Sequence, residues 1–95
     1  MLITVNQTNN IDLSKAAFIK LAFSALGSVG RFGEIIKQAR ASHDPDVIGT
    51  LEYYEAANAV ERDQATIFMG YLVADTANDM TQTEAEAIIN AWPTT

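Results

Sequence analysis

Residues 13–26 constrain the fold most, because they are apolar on nearly every face of a helix. Leucine, phenylalanine, isoleucine and alanine fill this stretch, and Lys15 and Lys20 are its only charged residues. A helix of this kind is buried at the centre of a bundle or covered by a partner. Asp12 or Ser14 can cap its start, since their side-chain oxygens accept backbone N–H groups. The sequence therefore predicts an all-α protein.

Glycine and proline mark the boundaries of further helices. Three glycines at residues 27–33 weaken the helical pattern, so we expect a break within residues 27–31 and a second helix to about residue 41. Asp44 is a good capping residue, and Pro45 suits the first helical position. We expect one long helix from Pro45 to about residue 77.

The first ten residues differ from this helical pattern. Leu2–Val5 is apolar and rich in β-branched side chains, and the polar run Gln7–Asn10 follows it, which predicts a short extended arm over residues 1–10. No later segment has a strong strand pattern. The arm is therefore expected either to pair with a second molecule or to lie on the helices.

A short helix is expected at the other end of the chain. Thr81–Glu84 and Thr83–Glu86 both fit the capping-box pattern, and the helix is expected to include Trp92 before Pro93 ends it. Residues 1–95 are thus predicted to form a single helical domain. Its expected fold is all-α, a small bundle of three or four helices with one long helix, preceded by the arm.

Charge is divided unevenly along the chain. Residues 1–42 carry five basic and two acidic side chains, whereas residues 43–95 carry one arginine and ten acids, and the formal net charge is −6. The two halves are therefore expected to attract each other, either within one copy or between copies. The expected contacts join basic side chains to nearby acids, with Arg31, Lys37 and Arg40 on one side and Glu52, Glu55 and Asp63 on the other.

The second half of the expected long helix lacks a solvent-facing side. Up to Thr66 one helical sector is polar, but beyond it Met69, Gly70 and Val73 occupy the same sector. A lone thin bundle cannot easily hide all its large apolar side chains, among them Ile19, Phe23, Phe32, Tyr53, Val73 and Trp92. Because exposed apolar patches usually mark interfaces, this sector is a candidate interface.

Few residues could carry catalytic chemistry. The chain has no cysteine and one histidine, His43, which excludes thiolate chemistry and any site that needs two histidines. His43 lies beside Asp44 and Asp46, and we interpret this group as a capping loop rather than a metal site. The glycines at residues 27–33 surround Arg31 but follow a helix, which indicates a helix corner rather than a phosphate-binding loop.

Two carboxylate pairs at helical spacing, Glu52 with Glu55 and Asp75 with Asp79, could do acid–base work only in a polar pocket. No such cluster is visible in the sequence, so we interpret both pairs as solvated faces. No catalytic residue, cofactor or metal ligand is predicted.

The start of the chain has no basic segment followed by an apolar core, and no apolar stretch reaches about 20 residues. We therefore expect a cytoplasmic protein without a secretory signal or a membrane span. A pI near 4.4 argues against direct binding to nucleic acid.

These features predict a small non-catalytic assembly subunit that acts through protein–protein interaction, as a homo-oligomer or in a larger assembly. A viral or mobile-element setting fits its size, in host cytoplasm or in a virion. The alternative is an acidic inhibitor of a basic partner protein, either an immunity-type or anti-defence protein or a nucleic-acid mimic. The predicted interface residues are Leu2, Ile3, Val5, Arg31, Lys37, Arg40, Glu52, Glu55, Asp63, Met69, Gly70 and Val73.

Overall fold

The computed structural model describes residues 11–94, and this part of the chain is mostly helical. It contains five helices rather than the expected three or four, together with two very short strands. The arm predicted over residues 1–10 lies outside the described residues. The elements are, in order, β1 (Leu13–Ser14), α1 (Lys15–Leu26), α2 (Val29–Arg40), α3 (Pro45–Ala56), β2 (Ala59–Val60), α4 (Arg62–Ala74) and α5 (Gln82–Asn90).

A sharp corner separates α1 from α2, within the expected window. Ser14 caps the start of α1 by accepting a hydrogen bond from the Ala17 N–H. Gly27 ends α1 with a φ of 77°, a left-handed conformation that is unfavourable for residues with a side chain. Ser28 then caps α2 by accepting from the Arg31 N–H. The corner needs only two residues because glycine can adopt this backbone conformation.

The prediction of one long helix from Pro45 is wrong, because the chain leaves the helix after α3 and starts a new one at α4. Asp44 and Pro45 begin α3 as expected. Beyond α3, however, Val60 is buried and pairs with Leu13 in the antiparallel β1–β2 ladder. The expectation that no later segment forms a strand is corrected by the same pairing. Residues 57–61 contain no glycine or proline, so burial and pairing, rather than a local helix breaker, account for the break.

The start of α5 is the first of the two predicted capping boxes. The Thr81 side chain accepts from the Glu84 N–H, and the Glu84 carboxylate accepts from the Thr81 N–H. Both backbone donors are thereby satisfied. The helix ends at Asn90, so Trp92, which was expected within it, lies just beyond its end.

Aromatic rings from four segments meet in the core. Phe18 of α1 lies 6.2 Å from Phe32, 5.7 Å from Tyr54 and 5.7 Å from Trp92, measured between ring centroids. The Trp92 indole Nε1 also donates to the Ile11 carbonyl oxygen at 2.8 Å, which joins the two ends of the described chain. The most deeply buried large side chains come from the other four helices and are Ile35, Val47, Leu72 and Ile88.

Candidate interaction surface

A charged cluster centred on Arg31 joins α2 to the start of α5. The guanidinium donates through Nε to one oxygen of Glu84 at 2.6 Å and through Nη2 to the other at 2.8 Å. Its Nη1 donates to the Asp79 carboxylate at 2.9 Å. The expectation that Arg31 faces the acids of residues 52–63 is therefore wrong within one copy. Its partners are Glu84 on α5 and Asp79 in the connection before α5. Nothing in the sequence pattern indicates that the fold brings either acid close to Arg31.

The cluster perturbs the titration of both partners. Hydrogen bonds from Arg31 lower the pKa of the Glu84 carboxyl to about 2, although desolvation acts in the opposite direction. The same pairing raises the pKa of the Arg31 guanidinium. The two side chains are only 20% and 23% exposed. Arg31 is thus committed to a permanent internal ion pair at neutral pH and has little surface left for a partner.

A second polar contact joins α1, α2 and α3. Arg40 forms an ion pair with Glu55, one of the acids expected from the sequence. Lys15 donates to the Glu55 backbone carbonyl and lies 5.6 Å from the centre of the Tyr54 ring. Burial, with a smaller contribution from the Glu55 charge, raises the pKa of the Tyr54 hydroxyl. Two basic side chains of the first half, Arg40 and Lys15, therefore contact groups of the same copy. Lys37, in contrast, is exposed.

The connection between α4 and α5 is held by side-chain hydrogen bonds. The Ser42 hydroxyl donates to Asp75 at 2.6 Å, and this bond is the main cause that lowers the pKa of the Asp75 carboxyl. Asn78 is buried, and its Nδ2 donates to the Ile35 carbonyl at 3.1 Å. The carboxylates of Asp75 and Asp79 remain accessible to solvent, and they also accept hydrogen bonds from Ser42 and Arg31.

An open groove runs between α4 and α5, and the predicted residues Met69, Gly70 and Val73 line it. Met69 is buried, Val73 is half-buried and Gly70 is exposed, so the three do not form one enclosed face. All three lie within α4, so the break before this helix does not alter their spacing, and within one copy the neighbouring elements cover Met69 but leave Gly70 open. The groove has a volume of about 190 Å³, and its other lining residues are Thr66, Gln82, Ala85, Glu86, Ile89 and Asn90.

Several large apolar side chains are exposed elsewhere on the helices. Of the residues expected to be hard to hide, Trp92 is buried and Tyr53 is exposed, while the others are half-buried. Ile67 and Tyr71 are four residues apart and therefore share one face of α4. The exposed fractions are 62% for Val29, 50% for Tyr53, 45% for Ile67, 40% for Ile48 and 36% for Tyr71.

The remaining predicted interface residues fall into two groups. Glu52 and Asp63 are exposed on α3 and α4. The arm residues Leu2, Ile3 and Val5 lie outside the described part of the chain. Ile67 and Tyr71 are exposed but were not predicted as interface residues, because the apolar pattern of a helix does not indicate which face a neighbouring element covers.

Other kinds of site find little support in residues 11–94. No three histidine, aspartate or glutamate side chains are gathered there as metal ligands. No helix in this range combines the length and hydropathy of a membrane span. A crevice beside β2, lined in part by Tyr53, Tyr54 and Phe68, has a volume of only about 20 Å³. That is room for about one water molecule.

Comparison with known proteins adds no family to this description. No protein-family model, no curated protein and no solved structure matches the chain. Among the surfaces of residues 11–94, the groove between α4 and α5 and the exposed face of α4 are the candidates for contact with a partner.

Proposed function

We propose that this chain is a non-catalytic assembly subunit whose copies associate through α4. The observation that best supports this proposal is the lack of charged side chains on most of the exposed side of α4. From Gln64 to Ala74 the helix has no charged residue, although Thr66, Ile67, Gly70 and Tyr71 are exposed. Charged residues are depleted at the centres of protein interfaces, so the composition fits a surface covered by protein.

A second copy of this chain is the simplest partner, because most soluble oligomers are built from identical subunits. Arg31 and Arg40 are already paired within the chain, so contacts between copies are expected to be apolar. Apolar contacts are not screened by salt, whereas exposed charge pairs are. The assembly should therefore persist at high ionic strength.

The test is the native mass of the purified protein, measured by light scattering at low and at high salt. We expect a defined oligomer at both. Gly70→Glu and Val73→Glu each place a carboxylate in the proposed interface, where an unpaired charge costs several kcal/mol. Each variant should therefore dissociate the oligomer. Gly70→Glu keeps the test independent of folding, because an added Cβ at Gly70 meets no atom within 4 Å.

The matched control is Val29→Glu, which makes the same change as Val73→Glu at an exposed position on α2. It should retain the native mass of the wild type. A wild type that is monomeric at both salt concentrations contradicts the proposal. So does a Gly70→Glu variant that keeps the oligomer while remaining folded by circular dichroism.

A second candidate function, inhibition of a basic partner protein, is favoured by the exposed acids Glu52 and Asp63. The ion pairs found within residues 11–94 involve neither of them. This function requires a monomer whose association with its partner slows as salt rises. Glu52→Lys with Asp63→Lys should flatten that salt dependence without changing the native mass.

A further inference from the structure

The groove between α4 and α5 has the size and lining of a site for apolar side chains. Met69, Val73, Ala85 and Ile89 supply apolar surface, and Gly70 leaves the space beside α4 open. Its volume of about 190 Å³ is below the range of about 300–1,000 Å³ for small-molecule pockets. An apolar cavity of about 150 Å³ accepts a group as large as benzene. The groove therefore fits one or two aliphatic side chains better than a metabolite.

The rim of the groove is polar. It carries the amides of Gln82 and Asn90, the hydroxyl of Thr66 and the carboxylate of Glu86. Amide side chains both donate and accept hydrogen bonds, so they can satisfy the N–H and C=O groups of an extended peptide. An apolar floor with such a rim suits a short peptide segment.

The chain contains a segment of matching chemistry. Residues 2–5 read Leu-Ile-Thr-Val and carry no charged side chain. In an extended segment alternate side chains point the same way, so an extended conformation would place Ile3 and Val5 on one side, about 7 Å apart. Two β-branched side chains at this spacing match the volume of the groove. Their low rotamer freedom limits the entropy lost on binding.

The position of Ile11 brings this segment within reach of the groove. The Trp92 indole donates to the Ile11 carbonyl, and Trp92 follows the groove residue Asn90 by two positions. The described part of the chain therefore begins near that end of α5. Ten extended residues span about 33 Å. The α5 side of the groove is 9 residues long, which is about 14 Å at the helical rise of about 1.5 Å per residue.

We propose that the α4–α5 groove binds the Leu2–Val5 segment of a second copy of this chain, with Ile3 and Val5 entering it. The polar residues between Val5 and Ile11 then form the link from one copy to the next. That the segment comes from a second copy depends on the proposed assembly function, because the same length also reaches the groove of its own chain. Exchange of an identical segment between copies is a known route to dimers at low energetic cost.

Cysteine cross-linking tests the contact directly, because the full chain has no cysteine. One preparation carries Thr4→Cys, which leaves Ile3 and Val5 in place. A second carries Thr66→Cys or Gln82→Cys at the two ends of the rim. A side chain between Ile3 and Val5 points away from the groove floor, so the two cysteines are joined by a flexible bis-maleimide linker and the products are separated on a denaturing gel. Binding holds the sulfurs at an effective concentration in the millimolar range, so we expect about tenfold more heterodimer than without binding.

The matched control replaces the rim cysteine with Ile48→Cys, which is similarly exposed on α3 but lies outside the groove. This control should give only the background yield of cross-linked heterodimer. Adding Val5→Asp to the Thr4→Cys copy should lower the yield obtained with the rim cysteine to the same level. Equal yields from groove and control overturn the proposal. A cross-link that forms only within one chain carrying both Thr4→Cys and Thr66→Cys also overturns it.

The native mass separates this inference from the proposed function. An oligomeric wild type without the groove cross-link refutes the arm contact and leaves assembly through α4 standing. A monomeric wild type refutes assembly itself and, with it, a segment supplied by a second copy.

Discussion

Replacing Glu84 with glutamine should destabilise the protein at neutral pH and leave it almost unchanged in acid. The substitution keeps the size of the side chain but removes the charge that accepts two hydrogen bonds from Arg31. A glutamine nitrogen placed opposite Nε or Nη2 of Arg31 puts two donors against each other. The contact between α2 and the start of α5 is therefore weakened without creating a cavity.

The magnitude follows from the pKa of the Glu84 carboxyl. A pKa lowered from 4.5 to about 2 corresponds to about 3.4 kcal/mol of stability at about 1.36 kcal/mol per pH unit. Both side chains are partly exposed, and solvent screening reduces this figure to about 2 kcal/mol. For a chain of this size, that loss lowers the Tm by about 10 °C.

The sign of the pH dependence is fixed by the direction of the pKa change. Because the pKa is lower in the folded state, the contribution is fully present above pH 4.5 and is lost as the pH falls to about 2. The free energies of unfolding of the wild type and of Glu84→Gln should therefore converge over this range. Urea unfolding followed by the fluorescence of Trp92, the only tryptophan, measures the difference.

Glu86→Gln is the matched control, since it makes the same change two residues further along α5. Glu86 is exposed and accepts one hydrogen bond, from the Gln82 side chain. Its loss should cost less than about 0.5 kcal/mol. Equal effects of the two substitutions, or a Glu84→Gln effect that stays constant from pH 7 to pH 2, refute the assignment of the Arg31 cluster as a stabilising ion pair.

Three further predictions concern the fold itself. Gly27→Ala should lower the free energy of unfolding by about 1 kcal/mol, because residue 27 has a positive φ. Gly33→Ala, inside α2, should raise the free energy of unfolding by up to about 1 kcal/mol. Urea titrations of the two variants measure both effects. Ser42→Ala should raise the pKa of Asp75 towards its ordinary value, as followed by a carboxyl NMR titration. Ile35→Val should cost about 1 kcal/mol in urea unfolding while leaving the native mass unchanged.

Local signals predicted the helix boundaries well where they rest on capping chemistry. Asp44 with Pro45 begins α3, and Thr81 with Glu84 begins α5, because each cap is formed by side chains within three residues of the backbone groups they satisfy. The break between α3 and α4 has no such signal. Glu61 stands at the start of α4 without a side-chain capping bond. The break depends on residues far apart in sequence.

The candidate surface was predictable only in part for the same reason. Met69, Gly70 and Val73 do line one groove, whereas the exposed pair Ile67 and Tyr71 on the same helix was not among the predicted interface residues. A sequence pattern gives the faces of a helix but not which of them a neighbouring element covers. The partners of Arg31 were missed because opposite charge predicts attraction without specifying which acid the fold brings within reach.

The pairing of residues 13 and 60 also bears on the order of folding. Helical turns form from local contacts in about a microsecond, whereas contacts between distant residues must first close a long loop. Residues 45–74 are therefore expected to form helix early, and the bend between α3 and α4 to appear only when the N-terminal strand arrives. We therefore expect the end of α3 to depend on Leu13, a residue near the start of the described chain.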